Sequence, residues 1–298
     1  MSWSRRQTLG LPAALAGVFG VAGAGQGADA SGWKGLHSVP GRKGYADTPM
    51  GQVHYRVVGE GIPLVLLHQT PWFSVQYATV QPLLAAANIQ SIAVDTPGFG
   101  FSDLPDEQPS IETYADNLLY VLDALGLEQA AVVGFHTGAS IAAAFAHRHP
   151  ARTTRLILDG APLYNEEERR ERLARPHWDQ TPKPDGSHLS DRFAFIRNLN
   201  NAKLESINWS VLSLFLAAEG EHHGHIAAFS YDMAPAIREL SVPTLIISHT
   251  GDVLHYAAGR ILKIRPDFEY REFEGGNSHV IYDEPGPWSE AVIEFLKD

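Results

Sequence analysis

Short, continuously apolar runs constrain this chain more than any other feature. PLVLLH at residues 63–68, QSIAVD at 90–95, AVVGF at 131–135, TRLILDG at 154–160 and VPTLIISHTGD at 242–252 each carry apolar side chains at successive positions. A strand wet on one face alternates apolar and polar residues, so runs of this kind belong to strands covered on both faces. Between them lie stretches of helical spacing: SVQYATVQPLLAAAN, IETYADNLLYVLDALGLEQ with Ser110 as N-cap and Gly126 as stop, ASIAAAFAHRHP up to Pro150, and AAGRILKIRP. EYREFEGG adds a last strand and WSEAVIEFLKD a last helix. Buried strands alternating with helices predict an α/β fold, a mostly parallel sheet with helices on both faces. GQVHYRVVGEG alternates apolar and polar residues and reads as a half-exposed edge strand before it.

The rhythm breaks over residues 161–236. NEEERRERLAR is a charged helix, KPDGS a turn and SVLSLFLAA a short apolar helix, with no core strand among them. A helical lid over the end of the sheet is expected there. Residues 31–48 are Gly-rich and weakly patterned, which predicts a linker ahead of a domain at 49–298.

Of the 298 residues, 44% are hydrophobic, enough for one large domain with a full core. A net charge of −11 repels phosphate backbones and anionic membrane surfaces, so no nucleic-acid partner is expected. The absence of Cys excludes disulfides, thiolate nucleophiles and Cys-based metal sites. At the N-terminus, SRRQTLG pairs Arg5 with Arg6 and precedes an apolar run and a small-x-small site ending at Ala30. Residues 1–30 resemble a bacterial twin-arginine signal peptide, which implies a periplasmic or secreted protein. The apolar run is shorter than the roughly 20 residues a membrane span needs, so no stable anchor is expected.

Chemistry concentrates where strands end. VVGFHTGAS leads from a strand through a tight turn into an Ala-rich helix, with His136 at the apex and Gly134 and Gly138 two positions to either side. LLHQTP at 66–71, VDTPGFGFSD at 94–103, SHTGD with Asp252, and GGNSH with His279 follow four other strands. Together these motifs resemble the α/β-hydrolase superfamily with a helical cap, across nearly the whole chain after the leader. The resemblance implies a nucleophile, acid, histidine order that falls on His136, Asp252 and His279, with His where that family usually has Ser. It also implies oxyanion donors from the backbone N–H groups of Thr137 and of Gln69 or Thr70, Gln69 standing where Gly is usual.

An imidazole at the apex can attack an acyl group, or act as general base or acid toward water or substrate. With Asp252 orienting His279, two imidazoles would face the substrate, one giving a proton and the other accepting it. Asp159, after TRLILDG, is an alternative acid. His68, Trp72, Phe135 and His249 are expected around the substrate pocket, with His68 bonding the backbone of its own loop; Phe73, Phe101 and Trp209 are further aromatic residues assigned there by loop position. EHHGH supplies His222, His223 and His225, yet its spacing matches no dense ligand motif, so neither metal nor cofactor is expected. The expected activity is hydrolysis of an ester, lactone or related small apolar carbonyl compound. A lyase or isomerase moving protons between two histidines, and a ligand-binding protein without turnover, are the alternatives.

Overall fold

The computed structural model describes residues 35–199 and 202–298. The expected leader, 1–30, lies outside them. Eight strands form one sheet: β1 Arg42–Thr48, β2 Gly51–Val58, β3 Ile62–Leu67, β4 Ile89–Val94, β5 Ala130–Phe135, β6 Thr153–Asp159, β7 Thr244–His249 and β8 Glu269–Phe273. Their order across the sheet is β1-β2-β4-β3-β5-β6-β7-β8. β2 runs antiparallel to β1 and β4, and the remaining pairs are parallel. The mostly parallel sheet predicted from the apolar runs is therefore present.

Successive residues of the central strands feed two separate cores, which is why those strands read as unbroken apolar runs. Val65, Leu67, Val132 and Leu158 pack on one face against α2 (Ile111–Ala124), α3 (Thr137–Arg148) and α9 (His255–Ile264). Leu64, Leu66, Val133 and Ile157 pack on the other against α1 (Gln81–Ala86) and α11 (Pro285–Lys297), where Trp288 and Phe295 are buried. Each such side chain contributes roughly 1.5–3 kcal/mol. Ser110 caps α2 as expected, its side chain accepting from the Thr113 N–H.

Three expectations need correction. The linker read over 31–48 contains a 3-10 turn, Gly35–Ser38, and β1, whose pattern is mostly exposed and so carries little apolar signal. Because β1 covers it, β2 is an interior strand buried from Val53 to Val57, not a half-exposed edge. The helix expected over 74–88 is a 3-10 turn, Ser74–Tyr77, followed by α1, which starts at Gln81; Pro82 lacks an N–H and suits a first helical turn.

Between β6 and β7 the chain forms α4 (Glu166–Leu173), α5 (Ser187–Leu199), α6 (Leu204–Ala217), α7 (Glu219–Ser230) and α8 (Ala234–Glu239), with no strand among the described residues. Asn165 and Glu168 close a reciprocal capping box at the start of α4. α7 rests on the loops that leave β3 and β4. Gly220 lies against Gly98, where a Cβ would come within 2.0 Å of the Gly98 carbonyl oxygen, and Gly224 lies against Thr70 and Phe99. Gln108 ties the contact by donating to the His223 carbonyl at 2.9 Å. α10 (Val280–Asp283) precedes α11. No described helix is long and apolar enough to cross a membrane.

Candidate active site

β5 ends in the core at Phe135 and α3 begins at Thr137, so His136 makes the whole turn between them at φ 49°, ψ −113°. Non-glycine residues seldom adopt positive φ, and such strain persists only where the surroundings impose it. Here they do. A Cβ on Gly138 would stand 2.0 Å from the Leu67 carbonyl oxygen, and one on Gly134 would stand 2.0 Å from the Gly138 carbonyl oxygen, so strand and helix meet backbone to backbone. The His136 N–H donates to the Asp159 carbonyl at 3.0 Å, and its ring stacks on Phe135 with centroids 4.2 Å apart.

His136 Nε2 lies 2.9 Å from Asp252 Oδ2. Asp252 follows β7, and its other oxygen accepts the Leu254 N–H at 2.7 Å. Burial pushes the Asp252 pKa up, but the neighbouring His136 outweighs it and the carboxyl is held below its ordinary range. A carboxylate at Nε2 fixes the Nε2–H tautomer and leaves Nδ1 as the acceptor nitrogen. Nδ1 has no hydrogen-bond partner among the described residues. The side chain is 14% exposed, and His136 lines a cavity of about 150 Å³.

That cavity is lined by His136, Thr70, Thr137 and Leu254 from the strand-end loops and by Tyr164, Arg172, His225 and Phe229 from the helical segment. The Arg172 guanidinium lies 4.2 Å over the Tyr164 ring. Apart from His225, noticed as a histidine of EHHGH, none of these four was singled out in the sequence; Arg172 sits in a charged helix whose pattern looks purely solvated. A larger groove of about 730 Å³ runs past Met50, Asp103 and Glu107, but no histidine lines it.

The triad expected from the order of motifs does not form as a relay through His279. Asp252 bonds His136, and His279 makes no hydrogen bond to either. Its backbone N–H donates to Asn277 Oδ1 at 2.7 Å, its ring lies edge-on to Trp72, and its buried Nε2 has no partner among the described residues. Burial lowers its pKa to about 4, so the ring is neutral. His279 is not among the residues lining the cavity that holds His136. Asp159 is fully buried, and its carboxylate accepts from Trp288 Nε1 at 2.9 Å and lies 3.5 Å from His249 Nε2, bonding neither the His136 ring nor the His279 ring.

Of the oxyanion donors, the Gln69 N–H is already given to Gln76 Oε1 at 3.0 Å, while its side-chain amide donates to the Ser278 carbonyl. Thr137 and Thr70 keep backbone N–H groups without partners among the described residues, and both line the cavity. The four residues expected around the pocket lie outside its lining. His68 joins two loops, Nδ1 against the Gln69 carbonyl and Nε2 accepting from the Thr96 N–H at 3.0 Å, as its structural reading predicts. Phe135 is core beneath the His136 ring, His249 stacks on Phe273, and Trp72 packs with Phe73, Phe99 and Trp209 in a cluster of its own. Phe101 is partly exposed and meets Phe73 edge-on.

Comparison with known proteins identifies the fold. The family model for the alpha/beta hydrolase fold matches residues 62–283. The chain is 29% identical over 249 residues to 2-hydroxymuconate semialdehyde hydrolase of Pseudomonas sp. (strain CF600), covering 78% of this chain and 82% of that one. Among solved structures it superposes on E-2-(acetamidomethylene)succinate hydrolase with a TM-score of 0.72 at 19% identity, covering 87% of this chain and 100% of that one. On the enol-lactonase from Burkholderia xenovorans LB400 the TM-score is 0.69 at 21% identity, covering 86% and 100%. The chain belongs to the α/β-hydrolase fold family and stands among its hydrolases.

Proposed function

We propose that the protein hydrolyses a small ester, lactone or related carbonyl compound, with His136 in the position where the family usually carries its nucleophilic Ser and acting as general base. The observation that carries this reading is the 2.9 Å contact between His136 Nε2 and Asp252, which leaves Nδ1 without a partner on a residue that lines the cavity. Nδ1 takes a proton from water as the water oxygen attacks the carbonyl carbon. Asp252 stabilises the resulting imidazolium, and the Thr137 and Thr70 N–H groups receive the charge that develops on the carbonyl oxygen. The imidazolium then returns its proton to the leaving oxygen, giving acid and alcohol. In this scheme His279 is a neutral neighbour and not a relay.

Helices α4–α8 act as the lid, contributing Arg172, His225 and Phe229 to the cavity roof. A cavity of this volume suits a small substrate, and Arg172 favours one with an acidic group. The names of the relatives, a semialdehyde hydrolase and an enol-lactonase, support a small carbonyl substrate. Export through the twin-arginine route, from the pattern around Arg5 and Arg6, is part of the proposal.

The test is turnover of neutral and acidic esters, lactones and vinylogous ketones by the wild type, His136→Ala and Asp252→Asn. General-base catalysis is worth about 10²–10⁴-fold, and both variants should lose activity on that scale while keeping the fold. Full activity in His136→Ala would overturn the reading.

A further inference from the structure

A second cluster of ionisable groups stands on the lid side of the cavity. Glu221 and His225 are four residues apart on α7, so both side chains leave the same face of the helix. His225 Nδ1 lies 2.9 Å from Glu221 Oε1. His177, from the stretch without helix or strand between α4 and α5, crosses to bring its Nδ1 to 3.8 Å from Glu221 Oε2. The three ligand atoms lie within 4.8 Å of one another. His222 closes the group, its ring edge-on to His177 with centroids 3.7 Å apart.

An ordinary helix-surface ion pair accounts for part of this. It explains Glu221 with His225, but not why the Glu221 side chain is only 7% exposed, nor why His177 faces its second oxygen across a gap too wide for a hydrogen bond. Tetrahedral Zn²⁺ with imidazole nitrogens at about 2.0–2.1 Å and carboxylate oxygen at about 2.0–2.2 Å sets its ligand atoms roughly 3.4 Å apart, between the two separations seen here. Arg192, close enough to Glu221 to lower its pKa, supplies countercharge when no ion is bound.

We propose that His177, Glu221 and His225 bind one divalent transition-metal ion of the Zn²⁺ class, the fourth position falling to water or His222. Two imidazoles and a carboxylate suit Zn²⁺ better than Mg²⁺ or Ca²⁺, which favour all-oxygen sets. The ion pins the irregular stretch carrying His177 to α7. By occupying His225 Nδ1 it also keeps that ring's proton on Nε2, and His225 lines the cavity over His136.

The test is calorimetric titration of the metal-stripped protein with Zn²⁺, together with the visible spectrum of the Co²⁺ form. The wild type should bind one equivalent, give the intense absorption of low-coordinate Co²⁺ and melt at a higher temperature with Zn²⁺ present. His177→Ala, at an exposed position, and Glu221→Gln should each weaken binding at least about tenfold, a loss of ~1.4 kcal/mol. His136→Ala should bind as the wild type does, which separates this site from the proposed base. Equal Zn²⁺ affinity in His177→Ala and the wild type, or no saturable binding in the wild type, would overturn the proposal; if Glu221→Gln does not fold, His177→Ala alone decides.

Discussion

Asp252 accepts the Nε2 proton of His136, so replacing it by Asn does more than remove a charge. An amide can donate to Nε2, shifting the ring proton to Nδ1 and leaving no basic lone pair toward the cavity. Asp252→Asn should therefore lose nearly as much activity as His136→Ala, a result that a merely electrostatic carboxylate would not give. His279 makes a different prediction. Its folded pKa is lowered by burial to about 4 from the ordinary value near 6.5, so the unfolded chain binds the extra proton first as pH falls. Stability from its neutral state is complete above about pH 6.5, declines as pH drops, and is lost below about pH 4. The whole effect is on the order of 3 kcal/mol, and His279→Gln should flatten the pH dependence of urea-unfolding midpoints between pH 4 and 6.5. The same midpoint shift in variant and wild type would place the titration elsewhere.

At the level of elements, the site depends on where glycine lets backbone approach backbone or ring. Gly160, just past β6, has φ +54°, and a Cβ there would sit 2.6 Å from His136 Cδ2. Gly160→Ala should fold with a loss of about 1 kcal/mol while displacing the ring from Asp252, so activity falls far more than thermal stability. The sequence makes the strand-to-helix turn, the sheet and the helical break at 161–236 legible because apolar periodicity and glycine spacing are local signals. It makes the partner of Asp252 illegible. Motif order says which loops reach the end of the sheet, but whether a carboxylate there meets His136 or His279 depends on loop geometry of a few ångströms. Arg172 and Tyr164 were hidden for another reason: they come to the cavity through tertiary packing, Arg172 from a helix whose own pattern looks solvated and Tyr164 from the irregular stretch just before it. β1 was missed because only Ala46 within it is buried.

For the molecule as a whole, burial is distributed unevenly. β5 is buried at every position and β3 at its last four, whereas α4 has no buried residue and α5 only Ile196. Hydrogen exchange should therefore release the amides of α4 and α5 well before those of β3 and β5. Protection in α4 and α5 equal to that of β5 would show that the helical segment is part of the same cooperative unit. Zn²⁺ bound at the proposed site should slow exchange around His177 without altering the sheet.

The outermost strand also limits how the chain can be trimmed. β1 supplies the pairing partner of β2 along its full length, and Arg56 beneath it reaches the carbonyl oxygens of Val39 and Pro40 at 3.4 and 3.5 Å. Cleavage beyond Arg42 would strip that cover and leave β2, with five consecutive buried residues, as an open template for another chain. Any removal of the proposed leader must therefore stop short of Arg42. Under the proposed export, N-terminal sequencing should find the protein beginning near Ser31, and a chain starting at Pro49 should aggregate where one starting at Ser31 stays dispersed.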